Sequence, residues 1–213
     1  MGSTGLCWRV PAGYVDPSAE IVDSQGMSSY SGGSHDPVTA DDLRHMPDDG
    51  WRYELLRGRL LREPPAGAEH SWLGVTLGAR LRDFVHARDL GFVFGADCGF
   101  RITTDPDTVR APDVAFVIGD RLPTGPPRGY VPFAPDLAVE IVPPTDRMSD
   151  VTRKVADYID AGARLVWIID PVTRTAAVHR SRSDVIMLGD SDTLDGGDVL
   201  PGFRLPLAEL LDG

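Results

Sequence analysis

The stretch Pro112-Asp113-Val114-Ala115-Phe116-Val117-Ile118, with its successor Leu137-Ala138-Val139-Glu140-Ile141-Val142, decides how the chain is read. Both are apolar runs of strand length, and each carries one carboxylate where the pattern predicts core. An unpaired buried charge costs several kcal/mol, so something must offset the two acids. A divalent metal is the simplest candidate. A predicted helix with Lys154 comes next. The 21 basic residues comprise 20 arginines and this single lysine, and a guanidinium does not replace a compact ammonium.

Downstream of the two acids, Ser149 reads as the N-cap of a helix to Ala161, with Gly162 as its stop. Lys154 shares a face with Asp150 and Tyr158 at i±4, beside Val151 and Val155. That face looks at the sheet, so Lys154 can reach the acids from the helix; Tyr158 reads as core. Leu165 to Ile169 is a continuous apolar run suited to a strand buried on both faces. Ala176–His179 and Val185–Leu188 continue as strands, and Leu205 to Leu211 closes the domain.

Upstream, Thr39 looks like an N-cap with Asp42 at the capping-box position. The helix it starts ends at Pro47 to Gly50. Trp51 to Glu63 reads as a hairpin turning at Arg57-Gly58. His70 to Arg88 is the longest helical pattern, its stripe being Leu73, Leu77, Leu81, Phe84 and Val85, with Gly91 as stop. Phe92–Phe94 and Phe100–Ile102 read as strands, Asp105 to Asp107 as a turn, and Arg121 to Pro135 as a long loop. This order predicts an α/β (α+β) fold with a mixed β-sheet flanked by helices. Residues 1–35 are rich in Gly, Ser and Pro and are expected to be a flexible leader, with Met27 an internal alternative start. Residues 36–213 are expected to form one domain.

At 213 residues, 42% hydrophobic and 25% charged, the composition is that of an ordinary soluble globular protein. Cys7 and Cys98 have no metal-ligand spacing and make no disulfide framework, which fits a reducing cytoplasm. No apolar run has the roughly 18 residues of a membrane span, and no signal-peptide pattern opens the chain. The net charge of −11 argues against non-specific nucleic-acid binding.

The chemistry follows from the residue types. Two carboxylates, Asp113 and Glu140, suit a hard cation such as Mg²⁺, with Mn²⁺ as an alternative. Such a metal polarises a phosphate oxygen and activates water, while the Lys154 ammonium steadies the attacking group or the developing charge. Glu54 reads equally as a further metal-site acid or as an exposed or arginine-paired residue. His70 reads as a cap or packing residue, or else as a base.

These residues resemble the PD-(D/E)XK nuclease superfamily, and more closely its bacterial restriction-endonuclease-like branch, once a domain of unknown function. The resemblance runs from Val38 to Leu211. It is carried by Tyr53-Glu54-Leu55 with Gly58, Ala68-Glu69-His70, Pro112-Asp113, Ala134 to Glu140, Lys154 with Tyr158, Val166 to Pro171, and Leu200 to Phe203. It implies a restriction-endonuclease-like core, Mg²⁺-dependent DNA hydrolysis and a homodimer. Asp113 and Glu140 would be the metal-binding acids and Lys154 the catalytic lysine, displaced from position 142, where Asp…Glu-X-Lys nucleases carry theirs and this chain has Val142. A departure is Pro143-Pro144 where relatives have Ser-Pro. The alternatives are a catalytically silent nuclease-fold dimer acting as a binding or regulatory module, and a phosphoesterase for small substrates. Arginines gathered around the Asp113 cleft would favour the nuclease; scattered arginines would favour the module.

Overall fold

A computed structural model describes residues 37–46, 48–142 and 148–212. The leader with Cys7 and Met27, Pro47, and the Pro143-Pro144 step lie outside the described residues. Helix α1 (Ala40–Arg44) has the expected capping box of Thr39 and Asp42. Strands β1 (Arg52–Leu56) and β2 (Arg59–Glu63) form the expected hairpin. Its two-residue turn puts Arg57 and Gly58 at φ of 49° and 74°, the left-handed pair that matches strand twist. Helix α2 (Ala68–His86) follows, then β3 (Gly91–Gly95), β4 (Phe100–Thr103), β5 (Thr108–Arg110) and β6 (Val114–Ile118). The second half holds β7 (Leu137–Ile141), α3 (Met148–Asp160), β8 (Leu165–Asp170), β9 (Thr175–His179), β10 (Val185–Leu188), β11 (Thr193–Asp195), β12 (Arg204–Pro206) and α4 (Leu207–Asp212).

A six-stranded sheet in the order β10-β9-β8-β7-β6-β3 forms the centre. Only β7 and β8 run parallel, because the α3 crossover joins them; hairpins and loops make the other pairs antiparallel. The sheet is therefore mixed and flanked by helices, as expected. Side-chain alternation divides its two faces. Leu137, Val139 and Ile141 of β7 pack with Leu73, Leu77 and Leu81 of α2 and with Phe203, Leu207 and Leu210. Ala138 points the other way, toward Val155 and Tyr158 of α3, and Glu140 shares that parity. A second sheet, β2-β1-β5-β4, stands beside the first, with Leu55 and Val109 packing on Leu43 of α1.

Several local expectations need correction. Ser149 lies inside α3, not at its N-cap. Gly91 does not stop α2. It opens β3, and Ala87 caps the helix one turn earlier. The three-residue strands β5, β11 and β12 were not expected: such short segments show no alternation to read. Gly162 does stop α3, at φ 97°.

Candidate active site

Three antiparallel pairs, Val114↔Val139, Ala115↔Ala138 and Phe116↔Leu137, set the register of β6 on β7. One further step sets Asp113 opposite Glu140. Directly opposed residues in such a pair have Cβ atoms about 5 Å apart, and like charges there repel. The two acids are therefore brought together by strand register, across a long loop that leaves no trace of it in the sequence.

Each acid is held by a different helix. Asp113 Oδ2 accepts the Ile141 amide at 2.8 Å and lies 3.1 Å from His70 Nε2 of α2. Its Oδ1 sees Arg52 Nη1 only at 3.5 Å. Burial alone would raise this carboxyl, but the His70 hydrogen bond and charge, the Ile141 amide and Arg52 together hold it below the usual range. In return, the Asp113 hydrogen bond raises His70. On the α3 side, Glu140 Oε1 accepts from the Tyr158 hydroxyl at 2.8 Å and Oε2 from Lys154 Nζ at 3.0 Å. Burial pushes Glu140 up to about 7; Lys154 and the Tyr158 hydrogen bond oppose that rise, while Asp113 and Glu54 add to it. Lys154 also reaches Glu63 Oε1 of β2 at 3.2 Å. Burial works against its charge, but Glu140, Glu54 and Glu63 outweigh it, so the ammonium loses its proton only far above neutrality.

Behind these groups lies a buried ion triad. Arg110, 2% exposed, donates from Nη1 to Glu54 Oε2 at 2.6 Å. Its Nε and Nη2 both reach Asp157 Oδ2 of α3, at 3.1 and 2.5 Å. Glu54 Oε1 accepts the Ala111 amide at 2.8 Å. The triad thus ties β1, β5 and α3 to the two residues that lead into Asp113.

Asp113, Glu140, Lys154, Glu54 and His70 therefore meet in one buried region. Glu54 is arginine-paired, and His70 takes neither a capping role nor mere packing but a hydrogen bond to Asp113. Sequence reading missed Arg110 and Asp157 and took Tyr158 only as core. The reasoning that singled out Glu140 would have found Arg110, a charge within Thr108-Val109-Arg110-Ala111. Position i+4 from Lys154 marked Tyr158.

Across the region five carboxylates (Glu54, Glu63, Asp113, Glu140, Asp157) meet three permanent cations (Arg52, Arg110, Lys154) and one histidine. The surplus is negative, and Asp113 Oδ1 is the most loosely engaged of the four carboxylate oxygens of Asp113 and Glu140. This donor set fits a divalent cation. Among the described residues no three His, Cys, Asp or Glu side chains form a ready cage, but a hard cation that keeps several waters needs only one or two carboxylates. The arginines are divided. Arg52 and Arg82 border the Asp113 cleft, whereas Arg80, Arg164, Arg174, Arg182 and Arg204 pair with acids at the surface.

The chain thus has a mixed sheet flanked by helices, with Asp113 just before β6, Glu140 on β7 and Lys154 on α3. A model of the family "Uma2: Putative restriction endonuclease" matches residues 40–208, and the chain belongs to that family. The crystal structure of a "putative nuclease belonging to DUF820" from Anabaena variabilis is similar in fold. It superposes with a TM-score of 0.71 at 21% identity, covering 83% of this chain and 98% of that one. No curated protein matches the chain. Among the described residues no helix is long and apolar enough to cross a membrane.

Proposed function

We propose that the protein is a metal-dependent endonuclease that hydrolyses DNA phosphodiester bonds. The observation that carries this reading is that Asp113 accepts the amide of Ile141, the residue after Glu140, at 2.8 Å, with Lys154 Nζ 3.0 Å from Glu140. Asp113 and Glu140 would hold Mg²⁺ or Mn²⁺. When bound, such a cation polarises a phosphate oxygen and lowers the pKa of coordinated water.

The protein's own groups do the rest. His70 and the Ile141 amide fix Asp113 through Oδ2 and leave Oδ1 toward the cleft. Tyr158 fixes Glu140 through Oε1. Lys154 stays protonated, so it serves as an electrostatic donor to the negative charge that builds on the phosphate, not as a base. The buried triad of Glu54, Arg110 and Asp157 positions these groups without touching substrate. A homodimer in solution completes the proposal, checked by light scattering at working concentration.

The test is cleavage of supercoiled, linear and single-stranded DNA in Mg²⁺ and Mn²⁺, by wild type and by Lys154→Ala and Asp113→Asn. Metal-dependent cleavage lost in both variants supports the reading. Equal cleavage by all three proteins contradicts it. The surface pairing of so many arginines, with the charge of −11, favours a second reading: a phosphoesterase for small substrates, or a silent binding module. Turnover of bis(p-nitrophenyl) phosphate without DNA cleavage would select the former.

A further inference from the structure

A cavity of about 390 Å³ opens beside Asp113, between α2 and β3. A larger one, about 520 Å³, lies further along α2 among Val85, His86 and Asp120 and does not include the acids. The first has Asp113, His70 and Arg52 at one end and Arg82 at the other. Its walls are apolar: Val75, 70% exposed, on α2, and Val93 on β3. Gly74 and Gly78 bring no side chains to the helix wall.

We propose that this cavity is a slot for one unpaired nucleotide of the DNA strand being cut, so that single-stranded or locally unpaired DNA is the preferred substrate. The inference rests on the nuclease reading above and narrows its substrate class. Its size suits a nucleotide-scale ligand and not a duplex. Apolar walls a few residues long suit the face of a base, and a guanidinium adds a cation–π contact. Arg82 makes no ion pair with any described residue, so its charge is available to the ligand. Among the described residues strand β3 is an edge of its sheet and pairs with β6 alone. Its other main-chain edge is therefore left for the hydrogen-bonding edge of a base, which in a duplex is already taken by the complementary strand. The surface charge points the same way. Duplex binding draws its affinity from many Lys and Arg contacts to phosphates, and here the exposed Arg80, Arg153, Arg164, Arg182 and Arg204 already face acids. Stacking in a slot needs far fewer cations.

The experiment measures binding of a fluorescein-labelled 12-nucleotide single strand, and of the same sequence as duplex, by anisotropy in Ca²⁺. Wild type is compared with Val75→Glu, Arg82→Gln and a control, Val172→Glu, on a distant exposed turn. Melting curves confirm that each variant folds. Cleavage of both DNA forms in Mg²⁺ or Mn²⁺ is measured in parallel. We expect single-strand affinity at least tenfold above duplex, a fivefold or greater loss in each slot variant, and no loss in the control. Equal affinity for the two forms, or slot variants that bind single strands like wild type, would overturn the slot while leaving a cleaving enzyme a nuclease. Absence of cleavage of any DNA in either metal would remove the nuclease reading itself, and the slot with it.

Discussion

Arg110 is the group whose loss the structure ranks as most damaging. Its guanidinium is 2% exposed and divides its donors between Glu54 and Asp157. Replacing it with methionine keeps much of the volume but leaves Glu54 and Asp157 without their shared cation. Removing one partner of a buried ion pair costs about 3–5 kcal/mol, mostly the desolvation of the charge left behind. In a domain of this size each kcal/mol moves the melting temperature by about 2–4 °C, so Arg110→Met should melt at least about 6 °C lower and shift the urea midpoint accordingly. The triple variant Arg110→Met/Glu54→Gln/Asp157→Asn should recover most of that loss, because no charge is then left unpaired and the amide oxygen at position 54 can still accept from Ala111. Arg182→Met at the surface, where the partner Asp160 is exposed to water, should leave the melting temperature unchanged. A loss below about 1 kcal/mol in Arg110→Met, or a triple variant no better than the single one, would refute the claim that the triad holds β1, β5 and α3 together.

Other expectations can be checked with the same protein. In EDTA, wild-type stability should fall between pH 4.5 and about 7. Over that range the folded chain keeps on Glu140 a proton that the unfolded chain has released. A shift of that size corresponds to at most about 3 kcal/mol, and the raised His70 adds to the decline. Glu140→Gln should flatten the profile in urea melts, and an equal decline in that variant would refute the assignment. Above pH 7, where Glu140 is ionised, Tyr158→Phe should cost roughly 1.5–3 kcal/mol, the worth of a hydrogen bond to a charged acceptor, and lower cleavage activity while leaving the circular dichroism spectrum intact; unchanged stability would count against the bond to Glu140. Burial pushes the Cys98 thiol up to about 11. In a Cys7→Ser background its alkylation by iodoacetamide at pH 8 should therefore be on the order of a hundredfold slower than that of an unperturbed thiol, and labelling at the free-thiol rate would contradict this.

The sequence revealed the layers more readily than the site. The uninterrupted run from Leu165 to Ile169 suited a strand covered on both faces, and the stripe from Leu73 to Val85 needed an apolar surface to lie on. Glu140 stood out because a carboxylate inside such a run demands a partner. What stayed hidden was relational. The opposition of Asp113 and Glu140 depends on register, which the 18 residues between Ile118 and Leu137 leave free. Arg110 could be picked out as a charge in a short apolar run, but its partners Glu54 and Asp157 lie 56 and 47 residues away. Tyr158 serves two ends at once, its ring in the core and its hydroxyl on Glu140, and apolar patterning reports only the first.

The central claim is that Asp113 and Glu140 share a divalent cation. Calorimetric titration of Mn²⁺ into wild type, Asp113→Asn and Glu140→Gln addresses it without any assumption about substrate. The account predicts one site in wild type, lost or weakened at least tenfold in each variant, with affinity rising as pH passes through 7 and Glu140 releases its proton. No Mn²⁺ binding in wild type, or binding that both variants retain, would contradict it.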